Sequence, residues 1–188
     1  LTIADGNRPG IFASLDTGAV GNAGKIDIQA GNLVVKNSGE ISSSTFGKGN
    51  AGILKITATD SIFVDGVDKD KISSGIFSRV DEIAEGNAGG IEIATNNLTL
   101  SNKGEINVGI FGKTNPEIES GNISLKVNNL LLFKNNGLIS AQATGDNNGG
   151  NVTIRNNDGF IVASPNQNND IVANAGKGRG GNINIDTQ

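Results

Sequence analysis

The chain contains no cysteine, histidine, methionine, tryptophan or tyrosine. Without cysteine there are no disulfides and no thiolate metal sites. Without histidine the usual general base near neutral pH and the commonest metal ligand are both missing. Two readings fit the missing cysteine. Gly/Asn-rich repeats are poor in these residues in any case, and a chain threaded unfolded through a pore is best left without premature cross-links. The missing methionine removes even an initiator, as expected of a piece of a longer protein whose targeting segments lie outside it. No apolar run approaches the length of a membrane span, and no signal peptide is visible. The 15 basic and 19 acidic residues are mixed along the chain and leave a net charge of -4. That balance argues against a nucleic-acid or anionic-membrane partner, which would want a basic face.

What is present is a repeat. Six times a small residue and a glycine precede a short apolar-x-apolar piece. The first three are Ala23-Gly24-Lys25-Ile26-Asp27-Ile28, Ala51-Gly52-Ile53-Leu54-Lys55-Ile56 and Ala88-Gly89-Gly90-Ile91-Glu92-Ile93. Ser120-Gly121-Asn122-Ile123-Ser124-Leu125, Gly149-Gly150-Asn151-Val152-Thr153-Ile154 and Gly180-Gly181-Asn182-Ile183-Asn184-Ile185 follow. The anchors Ile26, Leu54, Ile91, Ile123, Val152 and Ile183 are 28, 37, 32, 29 and 31 residues apart. A recurrence at that period is the mark of a solenoid.

Each unit reads as three strand segments. Segment a is the piece just quoted. Segment b is Leu33-Val34-Val35, Ile62-Phe63-Val64, Leu98-Thr99-Leu100, Leu131-Leu132-Phe133 and Phe160-Ile161-Val162. Segment c is Glu40-Ile41-Ser42, Lys71-Ile72-Ser73, Glu105-Ile106-Asn107, Leu138-Ile139-Ser140 and Asp170-Ile171-Val172. Short β-branched strands separated by turn residues, with no useful helical period, predict an all-β chain. Parallel strands returning about every 30 residues stack at ~4.8 Å. The expected fold is a parallel β-helix of about five to six coils, with three short strands per coil. One repeat array fills residues 1–188, with coils near 21–48, 49–85, 86–117, 118–146 and 147–177 and partial coils at both ends. An antiparallel sandwich is the competing fold, but it does not explain three strand types recurring in fixed order.

The recurrent glycine, two residues before each segment-a anchor, calls for either positive φ or a close approach of stacked backbones. The column before it (Ala23, Ala51, Ala88, Ser120, Gly149, Gly180) is always small. Asn32, Asn97 and Asn129 precede segment b, and Asn37, Asn102 and Asn135 follow it. Stacked asparagines hydrogen-bond along a solenoid axis, and asparagine is also a good turn former; the sequence leaves both open. Phe46, Phe77 and Phe111 each lie five residues after a segment-c anchor, and Phe12 shares the Gly-Ile-Phe context of Phe77 and Phe111. These four are expected to form one stacked column covering a corner from inside.

The Gly-Asn-Ala-Gly units at residues 21–28 and 86–93, Ser44-Thr45-Phe46-Gly47 and the closing stretch 149–188 together resemble cyanobacterial filamentous-haemagglutinin-type exoproteins. In that stretch the likeness rests on Gly150-Asn151-Val152-Thr153-Ile154, Phe160-Ile161-Val162-Ala163-Ser164-Pro165, Ala173-Asn174-Ala175 and Gly178-Arg179-Gly180-Gly181-Asn182-Ile183. The resemblance implies a right-handed β-helix and export by two-partner secretion through an outer-membrane pore protein. It also implies a role as a secreted or cell-surface adhesin whose partners include host or matrix glycans or surface proteins. The family's secretion domain has no match here, and no functional residue of the family maps onto the chain.

Candidate sites are few. Asp65, Asp68 and Asp70 with Lys69 and Lys71, and then Asp81, Glu82 and Glu85, are the main acidic groups. Both groups read as solvated corner insertions. Weak calcium binding by Asp65, Asp68 and Asp70 is the sharper alternative, since alternate carboxylates are hard oxygen ligands. Gly176-Lys177-Gly178-Arg179-Gly180-Gly181 reads as a corner and not as a phosphate loop, because no helix follows it. No catalytic, metal or cofactor residue is assigned. The expected function is a non-catalytic stalk and display segment of an adhesin. The alternatives are a carbohydrate-active β-helix enzyme, which needs clustered outward carboxylates, and a carbohydrate-binding module.

Overall fold

A computed structural model describes residues 1–67, 71–112 and 121–187. The described residues contain strands and no helix. In chain order the strands are β1 (Thr2–Ile3), β2 (Gly10–Phe12), β3 (Ile26–Lys36), β4 (Glu40–Ser42), β5 (Leu54–Asp65) and β6 (Gly75–Val80). Then come β7 (Ile91–Ser101), β8 (Glu105–Ile110), β9 (Ile123–Lys134) and β10 (Leu138–Ser140). The last four are β11 (Val152–Arg155), β12 (Phe160–Ala163), β13 (Asp170–Val172) and β14 (Ile183–Asp186). They form two parallel sheets. One runs β1-β3-β5-β7-β9-β11-β14, with β12 beside β9, and the other runs β2-β4-β6-β8-β10-β13. Each strand pairs with its counterpart one coil away, so the chain winds as a right-handed parallel β-helix of about six turns.

The segment-a anchors stand in one row: Ile26 opposite Leu54, then Ile91, Ile123, Val152 and Ile183. The first five are buried, whereas Ile183 in the last coil is 45% exposed. Segment b supplies Leu33, Ile62, Leu98, Leu131 and Ile161, and segment c supplies Ile11, Ile41, Ile76, Ile106, Ile139 and Ile171. One hydrophobic core takes in most of these columns. At about 25 cal/mol per Å² of apolar surface buried, such continuous columns are the main source of stability.

Three readings of the strands change. Segments a and b run on as one long strand in β3, β5, β7 and β9, with a register irregularity where they meet, as between Ala30 and Asn32. The bend is a bulge, so the backbone turns there without leaving the sheet. In coil two the segment-c strand is Gly75–Val80, not Lys71-Ile72-Ser73. Ahead of that strand Val67 bridges Ser73 antiparallel, and the Ser74 amide donates to the Gly66 carbonyl (2.9 Å). Both stretches centre an isoleucine in a short tripeptide, Lys71-Ile72-Ser73 and Gly75-Ile76-Phe77, so the pattern alone fits either. In coil five the inward residue of segment b is Ile161, and Phe160 points out, 70% exposed.

The glycine column answers to close approach and not to positive φ. An added Cβ would lie 1.9 Å from the Gly24 carbonyl oxygen at Gly52, and 1.9 Å from the Gly52 oxygen at Gly89. The chain crosses there toward the opposite sheet. The Gly52 amide donates to the Ser43 carbonyl (2.8 Å), and the inward Ser78 hydroxyl donates to the Gly52 carbonyl (2.7 Å). Positive φ belongs instead to the first glycine of the corner, at Gly21, Gly49 and Gly86.

Both asparagine roles are realised. Asn37, Asn102 and Asn135 have positive φ, as does the residue after each, so they build the turn from segment b to segment c. The same asparagines also ladder. Asn135 Nδ2 donates to Asn102 Oδ1 (2.7 Å), and Gln167 Nε2 donates to Asn135 Oδ1 (2.5 Å). A second ladder joins Asn22, Asn50 and Asn87 at the glycine corner, and a third joins Asn122, Asn151 and Asn182.

Candidate functional site

The outer face of the second sheet carries aromatic, hydroxyl and acidic side chains. Side chains alternate along β2, β4, β6, β8, β10 and β13, so the residues flanking each inward isoleucine point outward. One outward column is Phe12, Ser42, Phe77, Asn107, Ser140 and Val172. Four residues further on, one beyond the bridged Leu15, Thr45, Val80, Ile110 and Ala143, stand Asp16, Phe46, Asp81, Phe111 and Thr144. The expected single phenylalanine column therefore does not exist. Phe12 and Phe77 share one column with Ser42 between them, and Phe46 and Phe111 share the other with Asp81 between them. The error follows from the segment-c strand of coil two: once Ile76 is the anchor, Phe77 lies one residue beyond it instead of five. The rings also lie outside the coil, not inside the corner.

These rings are seated on glycine. A Cβ at Gly10 would fall 2.3 Å from Phe12 Cζ, and one at Gly75 would fall 2.1 Å from Phe77 Cζ. Each ring thus folds back over the glycine two residues earlier, on the same face. Phe77 is 4% exposed and is covered by Arg79, whose Cζ lies 4.0 Å from the ring centroid. Phe12 is 54% exposed. Beside it opens a groove of about 580 Å³ lined by Arg8, Phe12, Ser14, Asp16, Glu40 and Phe46, among others. The Glu40 side chain is only 8% exposed and pairs with Arg8 (Nη2 to Oε2, 3.1 Å). The Ser14 and Ser42 hydroxyls lie at the floor, with Ser42 Oγ 2.9 Å from Ser44 Oγ. Further along this face Asn107 Oδ1 and Ser140 Oγ are buried without a hydrogen-bond partner among the described residues. The sequence reading missed the groove because its parts come from two coils. The repeated Gly-Ile-Phe was its one visible signal.

Of the acidic groups, Asp81 stands in the outward column between Phe46 and Phe111. Asp65 Oδ1 accepts from Asn102 Nδ2 (2.8 Å), so it belongs to the asparagine ladder, while Asp68 and Asp70 lie outside the described residues. Glu85 pairs with Lys48 (3.5 Å). Among the described residues no group of three or more acidic side chains is placed to hold a metal ion. At residues 176–181 the Gly176 amide donates to the Ala143 carbonyl (3.0 Å) and the Gly181 amide to the Ala173 carbonyl (2.7 Å). These amides serve coil contacts, as a corner requires.

The chain matches no family model, no curated protein and no solved structure.

Proposed function

We propose that this chain is a non-catalytic stalk and display segment of a secreted or cell-surface adhesin of the filamentous-haemagglutinin type, exported through an outer-membrane two-partner secretion pore. The observation that carries the reading is the continuity of the array. The same inward columns pass through every complete coil, and each coil docks only on its neighbours. A rod built this way holds a long outer surface at a fixed spacing and lengthens by adding coils. Folding by addition of coils also suits a chain that emerges from a pore one end first.

The export half is tested by fusing the chain behind a secretion domain of that family and co-expressing the matching pore protein. Folded chain in the medium is expected, and retention in the periplasm with the pore present would count against it. The non-catalytic half is tested on pectin, alginate and related polymers. Steady product release by the purified chain, abolished by mutating one carboxylate, would replace this reading with a carbohydrate-active enzyme.

A further inference from the structure

Two stretches of the outer face are near copies. Gly75-Ile76-Phe77-Ser78-Arg79-Val80-Asp81 lies two coils from Gly10-Ile11-Phe12-Ala13-Ser14-Leu15-Asp16, in the same register. Both seat a phenylalanine ring over a glycine, and both place an aspartate four residues beyond the ring. They differ between ring and carboxylate. Coil two has Arg79 there, with its guanidinium on the Phe77 face at 4.0 Å. The first coil has Ser14, and the Phe12 face is open to the groove.

We propose that this groove receives the guanidinium of an arginine side chain carried by a partner polypeptide. The guest group would lie on Phe12 as Arg79 lies on Phe77, with its edge toward Asp16. A flat, weakly hydrated cation suits the negative face of an aromatic ring, and a guanidinium donates in a fork that fits a carboxylate. The groove supplies the charge for it. Arg8 is matched by Glu40, which leaves Asp16 as the surplus carboxylate, without an ion pair among the described residues. Glu40 is nearly buried in the wall, engages Arg8 through Oε2, and accepts no bond through Oε1 from the described residues. Phe46, from the next coil, supplies a second apolar wall for the arginine stem. The volume, about 580 Å³, is in the range of sites for small groups. Because it rests on the internal copy, the inference stands whether or not the chain is part of an adhesin.

The test is a titration of the 188-residue chain, with its phenylalanine rings isotope-labelled, followed by NMR. The probes are N-acetyl-arginine methylamide, its lysine counterpart and maltohexaose. Saturable shifts of the Phe12 and Phe46 rings with the arginine probe are expected, with binding at least fivefold weaker for lysine. Ser14→Arg supplies the chain's own guanidinium and is expected to weaken binding at least tenfold while leaving the fold intact. Asp16→Asn is expected to weaken it severalfold, and Phe160→Ala, on an exposed ring of the other sheet, to leave it unchanged. Rings that ignore the arginine probe, or a Ser14→Arg chain that binds as well as the parent, would overturn the proposal. So would shifts with maltohexaose equal to or larger than those with arginine, which would make the groove a sugar site.

Discussion

Inside the coils, neighbours in a column are alike; along the outer face of the second sheet, they change at every step. The row Ile26, Leu54, Ile91, Ile123, Val152 is aliphatic throughout and buried. The outer row Phe12, Ser42, Phe77, Asn107, Ser140, Val172 mixes ring, hydroxyl, amide and aliphatic. The inward row is constrained because every coil must fill the same cross-section at interior density. The outward row is free to differ, and that freedom lets the first two coils shape a groove beside Phe12.

Truncation separates the two rows most sharply. Leu98→Ala, at a fully buried inward position, is expected to cost about 2–5 kcal/mol in chemical denaturation. Phe77→Ala is the test on the outer row. Although it faces outward, it is buried under Arg79 and is expected to cost about 1.5–3 kcal/mol. A change within error at Phe77 would mean that the outer face contributes nothing to stability.

Next come the corner glycines, compared as a pair. Gly89→Ala drives a Cβ to 1.9 Å from the Gly52 oxygen, whereas at Gly90 the nearest atom is the Asn122 oxygen at 3.4 Å. Gly89→Ala is expected to destabilise by about 1–3 kcal/mol, and Gly90→Ala by no more than about 0.5 kcal/mol. Equal effects would show that close coil approach is not what selects the first glycine. Asn151→Ala removes one rung of an exposed ladder, where Asn151 Nδ2 donates to Asn122 Oδ1 (3.0 Å) and Oδ1 accepts from the Asn182 amide (2.9 Å). Its expected cost is about 0.5–1.5 kcal/mol. Phe12→Ala closes the series at no more than about 0.5 kcal/mol, because its ring is half exposed. The gap between Phe77→Ala and Phe12→Ala measures what the Arg79 cap and burial add to otherwise matching motifs.

The inward rows were readable from the chain because a period near 30 residues with a fixed glycine-to-anchor offset is itself the physical requirement of stacking. The asparagines flanking segment b were visible as columns, but the sequence left turn and ladder open, and the ladders through Asn50 and Asn151 were not read from it. The coil-two strand was not readable. Ile72 and Ile76 both satisfy a local pattern, and only the pairing of Ile76 with Ile41 and Ile106 decides between them. That four-residue slip carried Phe77 into the wrong column and hid the outer face. The groove had a deeper obstacle. Glu40 and Phe46 meet Phe12 and Asp16 across coils, and outward residues leave no period to align.

The central claim is that the six anchors stack in chain order, one coil apart. Methyl–methyl NOEs on a perdeuterated chain with labelled isoleucine, leucine and valine test it most directly, since adjacent anchors lie near the strand spacing of ~4.8 Å. Strong cross-peaks are predicted for Ile26 with Leu54, Leu54 with Ile91, Ile91 with Ile123 and Ile123 with Val152, fading for pairs two coils apart. A strong Ile26–Val152 peak, or none between Leu54 and Ile91, would contradict the β-helix and the register on which the outer face depends.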